Sequence, residues 1–158
     1  MITTSTIKLI GSLERIIEYK DGSTEVMKCE NAVLDKGREA LTNTLTNLVG
    51  NTNEFFVARM IFGDGGTTAG AKKFVNTNRN GLFGVTRLTK PVTAMIDDLN
   101  TTQAIFTSVI LFEEINSTTI NEMALQMQNN DLYSMITFPD LNKTSEMQIT
   151  WNWRLNFV

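Results

Sequence analysis

At 158 residues, with 42% hydrophobic and 20% charged side chains, the chain has the length of one domain and the composition of a folded soluble protein, which excludes disordered, collagen-like and coiled-coil classes. The 14 Lys+Arg against 17 Asp+Glu give a net charge of -3, so no broad basic field is available for a phosphate backbone and nucleic acid is not an expected partner. With no histidine and one cysteine, Cys29, the chain lacks the parts for His-based acid–base catalysis, Ser-His or Cys-His nucleophile pairs, Cys/His zinc sites and intrachain disulfides.

The stretch Met1 to Ile10 shows no basic region followed by a sustained apolar one, so no signal peptide is expected. Apolar runs such as Val109–Phe112 are four residues long, far short of the ~20 that a spanning helix needs, so no membrane partner is expected. These features predict a protein made in cytoplasm, which stays there or assembles from it. Residues 1–9 read as a polar N-terminal arm and residues 10–158 as a single β-rich domain. The 22 Thr and 16 Asn fit strands with polar faces joined by turns.

In chain order, Leu13–Tyr19 and Thr24–Cys29 flank Lys20-Asp-Gly-Ser23, a β-hairpin signal. The spacing of Leu41, Leu45 and Leu48, with Asp35 able to cap and Gly50 suited to the stop, predicts one helix over about 35–49 whose leucine stripe packs on a sheet. Thr42, Asn43, Thr46 and Asn47 are mediocre helix formers, so packing is expected to stabilise this helix more than propensity does. Residues 54–62 are apolar on both faces and predict a central strand covered on both sides, by the helix or a second sheet. From Gly63 to Gly84 six of the ten glycines fall in a segment of little periodicity, too long for an ordinary connection and therefore a functional, interface or mobile loop. Beyond it strands are predicted over 85–97 (bent at Pro91), 103–113, 120–128, 131–138 (ending at Pro139) and 146–157, with a hairpin turn at Met127–Leu132. The predicted fold class is mainly β: a β-sandwich or jelly-roll-like domain with one α-helix and a long Gly-rich loop.

Few residues carry a chemical signal. Gly63-Asp-Gly-Gly66 follows a strand as phosphate cradles do, but no helix start or Lys-Ser/Thr pair follows, so a tight turn opening the loop is the better reading. Asp97-Asp98 and Glu113-Glu114 would bind a hard cation only if the fold carried them to Asp64 or Asp140; at strand ends they read as solvated charge, and no metal or cofactor is expected. Trp151 and Trp153 share a strand face with Met147, Ile149, Leu155 and Phe157 and read as core rather than as a glycan platform. Cys29 reads as a small buried hydrophobe, and the methionines as core filler or subunit contact. Lys72, Lys73, Arg79, Arg87 and Lys90 make a modest basic stretch suited to an acidic patch on a neighbouring subunit. Gly63, Asp64, Gly65 and Gly66, with Lys72, Lys73, Phe74, Arg79 and Phe83, are the candidate interface loop.

Several segments, in order, carry a resemblance: Asn31-Ala-Val-Leu-Asp-Lys-Gly-Arg-Glu-Ala-Leu41, Ala58-Arg-Met-Ile-Phe-Gly-Asp-Gly-Gly-Thr-Thr68, Ile120-Asn-Glu-Met-Ala-Leu125, Ser134-Met-Ile-Thr-Phe138, Leu141-Asn-Lys-Thr-Ser145 and Gln148-Ile-Thr-Trp-Asn-Trp153. Over about residues 10–158 the chain resembles a group of small structural proteins of tailed bacteriophage virions. The resemblance implies a non-enzymatic virion component present in many copies and bound to major capsid, neck or tail proteins. A head decoration or head/neck role is implied first, and a tail or baseplate element is compatible with it. The residue chemistry leaves two other classes open: a carbohydrate-recognising β-sandwich used for adsorption, and a carboxylate- or metal-dependent enzyme.

Overall fold

The computed structural model describes residues 8–46 and 54–158. Residues 1–7 of the expected arm, and the end of the expected helix with Leu48 and Gly50, lie outside the described residues.

Residues alternating in polarity form most of the chain into strands. These are β1 (Leu9–Tyr19), β2 (Thr24–Val33), β3 (Val57–Gly63), the two-residue β4 (Thr67–Thr68) and β5 (Ala71–Lys72), β6 (Thr86–Pro91), β7 (Thr93–Asp97), β8 (Asn100–Ile110), β9 (Thr118–Met127), β10 (Leu132–Lys143) and β11 (Met147–Phe157), with α1 (Asp35–Thr46) between β2 and β3. Nine strands form one antiparallel sheet in the order β6-β3-β9-β10-β2-β1-β11-β8-β7. The two strands at its ends, β6 and β7, are one run of chain broken only at Val92, so the sheet curls until it nearly closes. Near-closure of this kind protects edges that an open sheet would expose. The domain is mainly β with one short helix among the described residues; its two halves face each other as in a sandwich but share strands, as in a barrel.

The centre is set by β11. Ile149, Trp151, Trp153 and Leu155 point inward and are buried, while Gln148, Thr150, Asn152 and Arg154 alternate with them on the partly exposed face. Trp151 reaches across the barrel to Phe62 on β3 and Phe138 on β10, with ring centroids 5.6 and 5.3 Å away in tilted geometry. Tilted aromatic contacts add to the area term, which makes this trio the main weld between the two halves.

The segment ends differ from the sequence expectation for local reasons. β10 does not stop at Pro139 but runs to Lys143, with a register shift between Thr137 and Leu141. Pro139 and Asp140 are exposed at this irregularity, a position that tolerates a residue lacking an N–H. The run 85–97 is split at Val92, just after Pro91, and the 103–113 strand lies at Asn100–Ile110. Both hairpin turns form, with Gly22 (φ 86°) and Asn130 (φ 73°) taking the left-handed positions.

The leucine stripe of α1 is a correction. The buried residues of the helix are Gly37 and Ala40, whereas Leu41 is half-buried and Leu45 is 86% exposed. Leu34 donates its N–H to the Tyr133 carbonyl, 3.0 Å, which brings the helix start against β10. At Gly37 a Cβ would collide with that same carbonyl oxygen, so only the small-residue face can approach and the leucines are turned away. As the composition implied, Thr42, Thr44 and Thr46 bond back to carbonyls one turn earlier.

Two outcomes follow for stability. Trp151→Ala should destabilise the domain by about 3–5 kcal/mol in denaturant titration, the range for a large aromatic removed from a packed core. Gly37→Ala should be destabilising by about 1–3 kcal/mol in the same assay, because overpacking outweighs the gain of up to ~1 kcal/mol in helix propensity.

Candidate functional site

The glycine-rich loop expected over 63–84 forms, and its residues fold back onto the barrel. Val75, Leu82 and Phe83 cover the outward side of β3, β9 and β10, packing with Leu34, Ile61, Ala124 and Met135. This explains why β3 is apolar on both faces: the barrel interior takes one side, and the glycine-rich segment itself, rather than the helix or a second sheet, takes the other.

Two adjacent side chains on β9 hold the segment at its neck. The Glu122 carboxylate is fully buried and accepts three backbone N–H bonds, from Gly65 (2.9 Å), Phe83 (2.7 Å) and Gly84 (2.8 Å). Asn121 accepts from the Gly66 N–H at 2.6 Å and donates to Thr67 Oγ1 and Asp140 Oδ1. Both ends of the excursion are therefore gripped at one place, and the backbones of Gly65 and Gly84 meet there too closely for any Cβ on Gly65. The arrangement is that of an Ω-loop closed by side chains of the sheet beneath it.

Around the neck the charges are paired. Asp64 accepts from Arg87 Nε at 2.6 Å and from the Val85 N–H at 3.1 Å. Burial works to raise its pKa, but these bonds and the guanidinium charge leave the carboxyl below its ordinary value. Asp140 is held low by hydrogen bonds from Asn121 and Thr67. Arg79 lies over the Phe83 ring at 3.6 Å and donates to the carbonyls of Gly81 and Leu82, with Lys73 Nζ 5.1 Å from the same ring.

The nine candidate loop residues thus fall into two sets. Gly63, Asp64, Gly65, Gly66, Arg79 and Phe83 build the neck and the cover, and Lys73 packs beside them; Lys72 and Phe74, the latter 86% exposed, project outward. Of the basic stretch, Arg87 is taken by Asp64 and Lys90 by Glu114, at 2.7 and 2.8 Å.

The paired carboxylates do not converge. Asp97 accepts from Gln103 and the Leu99 N–H in the β7–β8 turn, while Glu114 holds Lys90 and the Leu111 N–H in the β8–β9 connection. Among the described residues no three His, Cys, Asp or Glu side chains stand together in a way that could hold a metal ion. Asp64 and Asp140 do share a polar concavity of about 500 Å³ with Thr67, Asn121 and Arg87, but both Asp64 oxygens and Asp140 Oδ1 are engaged by the bonds just described. Both tryptophans are fully buried and form core, and Cys29 is half-buried, its thiol pushed up by desolvation.

Sequence reasoning did not single out Lys143. Fully buried, it donates to the carbonyls of Phe112 (3.2 Å) and Thr144 (2.9 Å) and to Asn116 Oδ1 (3.0 Å), fastening the β8–β9 connection to the end of β10. Burial lowers its pKa, and the nearby Glu114 and Glu113 carboxylates oppose that. The only signal was its place in the Leu141–Ser145 turn.

No known protein family, curated protein or solved structure matches the chain.

Glu122→Gln replaces one acceptor oxygen with a donor that faces backbone N–H groups. Losing charge-assisted bonds of about 1.5–3 kcal/mol each should open the neck. The expected outcome is limited proteolysis at Lys72, Lys73 and Arg79 about tenfold or more faster than in the parent chain, read by mass spectrometry with the barrel still folded.

Proposed function

We propose that the chain is a non-enzymatic structural protein of a tailed-phage particle, bound in multiple copies to neighbouring virion proteins, as a head decoration or head/neck-associated protein. In this reading it assembles from host cytoplasm onto the virion, with major capsid, neck or tail proteins as partners. The resemblance of its sequence segments to those of small virion proteins supports it. So does their use here: Asn31, Gly37, Glu122, Lys143 and Trp151 each fix a part of the fold rather than line a reactive cleft.

The observation that carries the proposal is the contrast between polar and apolar surface. The carboxylates and cations around the loop neck and the β8–β9 connection are paired within the domain, whereas large apolar side chains are left exposed, Phe74 and Val85 on and beside the glycine-rich loop and a further group at one end of the barrel. There Leu45, Phe56, Ile96 and Leu99 are between 54% and 98% exposed. Exposed apolar residues gathered in one region mark association surfaces. Trp151 and Trp153, the residues weighed as a glycan platform, are enclosed.

Quantitative mass spectrometry of purified virions, with the major capsid protein as internal standard, tests the proposal. Hundreds of copies per particle support head decoration, the copy number of a single ring supports a neck, tail or baseplate position, and absence from the particle overturns the reading.

A further inference from the structure

The near-closure of the sheet leaves a seam. Where β6 and β7 part at Val92, β6 pairs with β3 and β7 pairs with β8, so along Thr93–Asp97 the other side of β7 has no strand beside it among the described residues. The seam opens into an apolar socket of about 260 Å³ at the barrel end, between Phe55, Phe56 and Ala94 on the rim and Phe106, Leu155 and Tyr133 below. Ala94 and Ile96 stand opposite Phe106 and Ala104 on β8, and cross-strand partners share a face, so both border the opening. Tyr133 is 5% exposed and lines the socket.

The other free edges are guarded. β2 carries Glu25, Lys28 and Glu30 along its exposed stretch, and β6 carries Arg87 and Lys90, paired with Asp64 and Glu114. Charge on an edge is the usual defence against an added strand. β7 reads Thr93-Ala-Met-Ile-Asp97, with no lysine, no proline and Met95 and Ile96 more than half exposed; its one charge, Asp97, stands at the strand's end and is engaged by Gln103 and the Leu99 N–H. An unguarded ladder next to an apolar socket recognises an extended backbone with an apolar side chain.

Residues 1–7, Met-Ile-Thr-Thr-Ser-Thr-Ile, match that chemistry: they carry no charged side chain, are free of Gly and Pro, and are rich in β-formers with Ile at 2 and 7. They also start from the right place. Lys8 pairs with Val158, next to Phe157, which itself lines the socket. Within one chain, however, β11, β8 and β7 intervene between β1 and the free edge, a path along the rim of about 19 Å at ~4.8 Å per strand. Seven extended residues reach about 23 Å, which leaves roughly one residue to pair.

We propose that residues 1–7 of one copy add as a strand to the free edge of β7 in a second copy, with an isoleucine in the socket. The contact is heterologous, arm to seam, so it propagates into a ring or a filament according to the rotation between copies. This goes beyond the virion reading and does not depend on it, because self-association is measured on the purified chain whatever the particle contains.

The test is complementation by sedimentation velocity with the full chain. Ile96→Lys places a charge on the edge at a position that is 64% exposed, and Ile2→Asp with Ile7→Asp spoils the arm. The parent should associate with rising concentration, and each variant alone should be about tenfold or more weaker. A 1:1 mixture of the two variants should form a heterodimer and no larger species, since one supplies the intact arm and the other the intact seam. A parent that stays monomeric up to hundreds of micromolar, variants that associate like the parent, or a mixture that stays monomeric overturns the proposal.

Discussion

A carboxylate removed from water must have its charge matched, and Glu122 meets that requirement with backbone alone. Its two oxygens take the N–H groups of Gly65, Phe83 and Gly84, drawing together two points almost twenty residues apart in sequence. Once the neck is closed, Leu82, Phe83 and Val75 are placed over Ile61, Ala124 and Met135, and the outward face of β3–β9–β10 becomes a second small core. Without that cover three central strands would present apolar side chains to water. The cover in turn fixes the helix start, because Asp35 donates its N–H to Thr77 within the same segment.

The barrel interior is a separate matter, governed by the two buried tryptophans of β11 and by the rings of Phe62 and Phe138 that Trp151 meets. Its near-closure relies on one strand run serving two neighbours. The first half of 86–97 completes the sheet at β3 and the second half completes it at β8, so the bend at Pro91–Val92 both closes the barrel and leaves the seam. The locked loop thus lies on one flank of the barrel and the seam at one end of it.

Much of the fold was legible because the dominant signals are local. The six alternating apolar residues of 147–157, the Asp-Gly hairpin and the Asn-rich turn each specify their own geometry, and each forms as read. The helix was legible in position, but its buried face was not: hydrophobicity named the leucines, while the approach of a carbonyl at Gly37 decided the matter sterically. The glycine-rich loop was legible in position, but what holds it was not, for the same kind of reason. Its order comes from Glu122 and Asn121, more than thirty residues downstream, and no period within 63–84 announces a partner at that distance. Lys143 was hidden likewise, since a buried lysine is betrayed only by the carbonyls that surround it.

The central claim is that the 64–85 segment is a fixed cover and not an open loop. Native-state hydrogen exchange on the unmodified chain tests it most directly, amide by amide. The account predicts that Gly65, Gly66, Phe83 and Gly84 exchange as slowly as the β3–β9 ladder, because they open only when the sheet does. Exchange at the rate of unstructured chain at those four amides, with the ladder still protected, would contradict it.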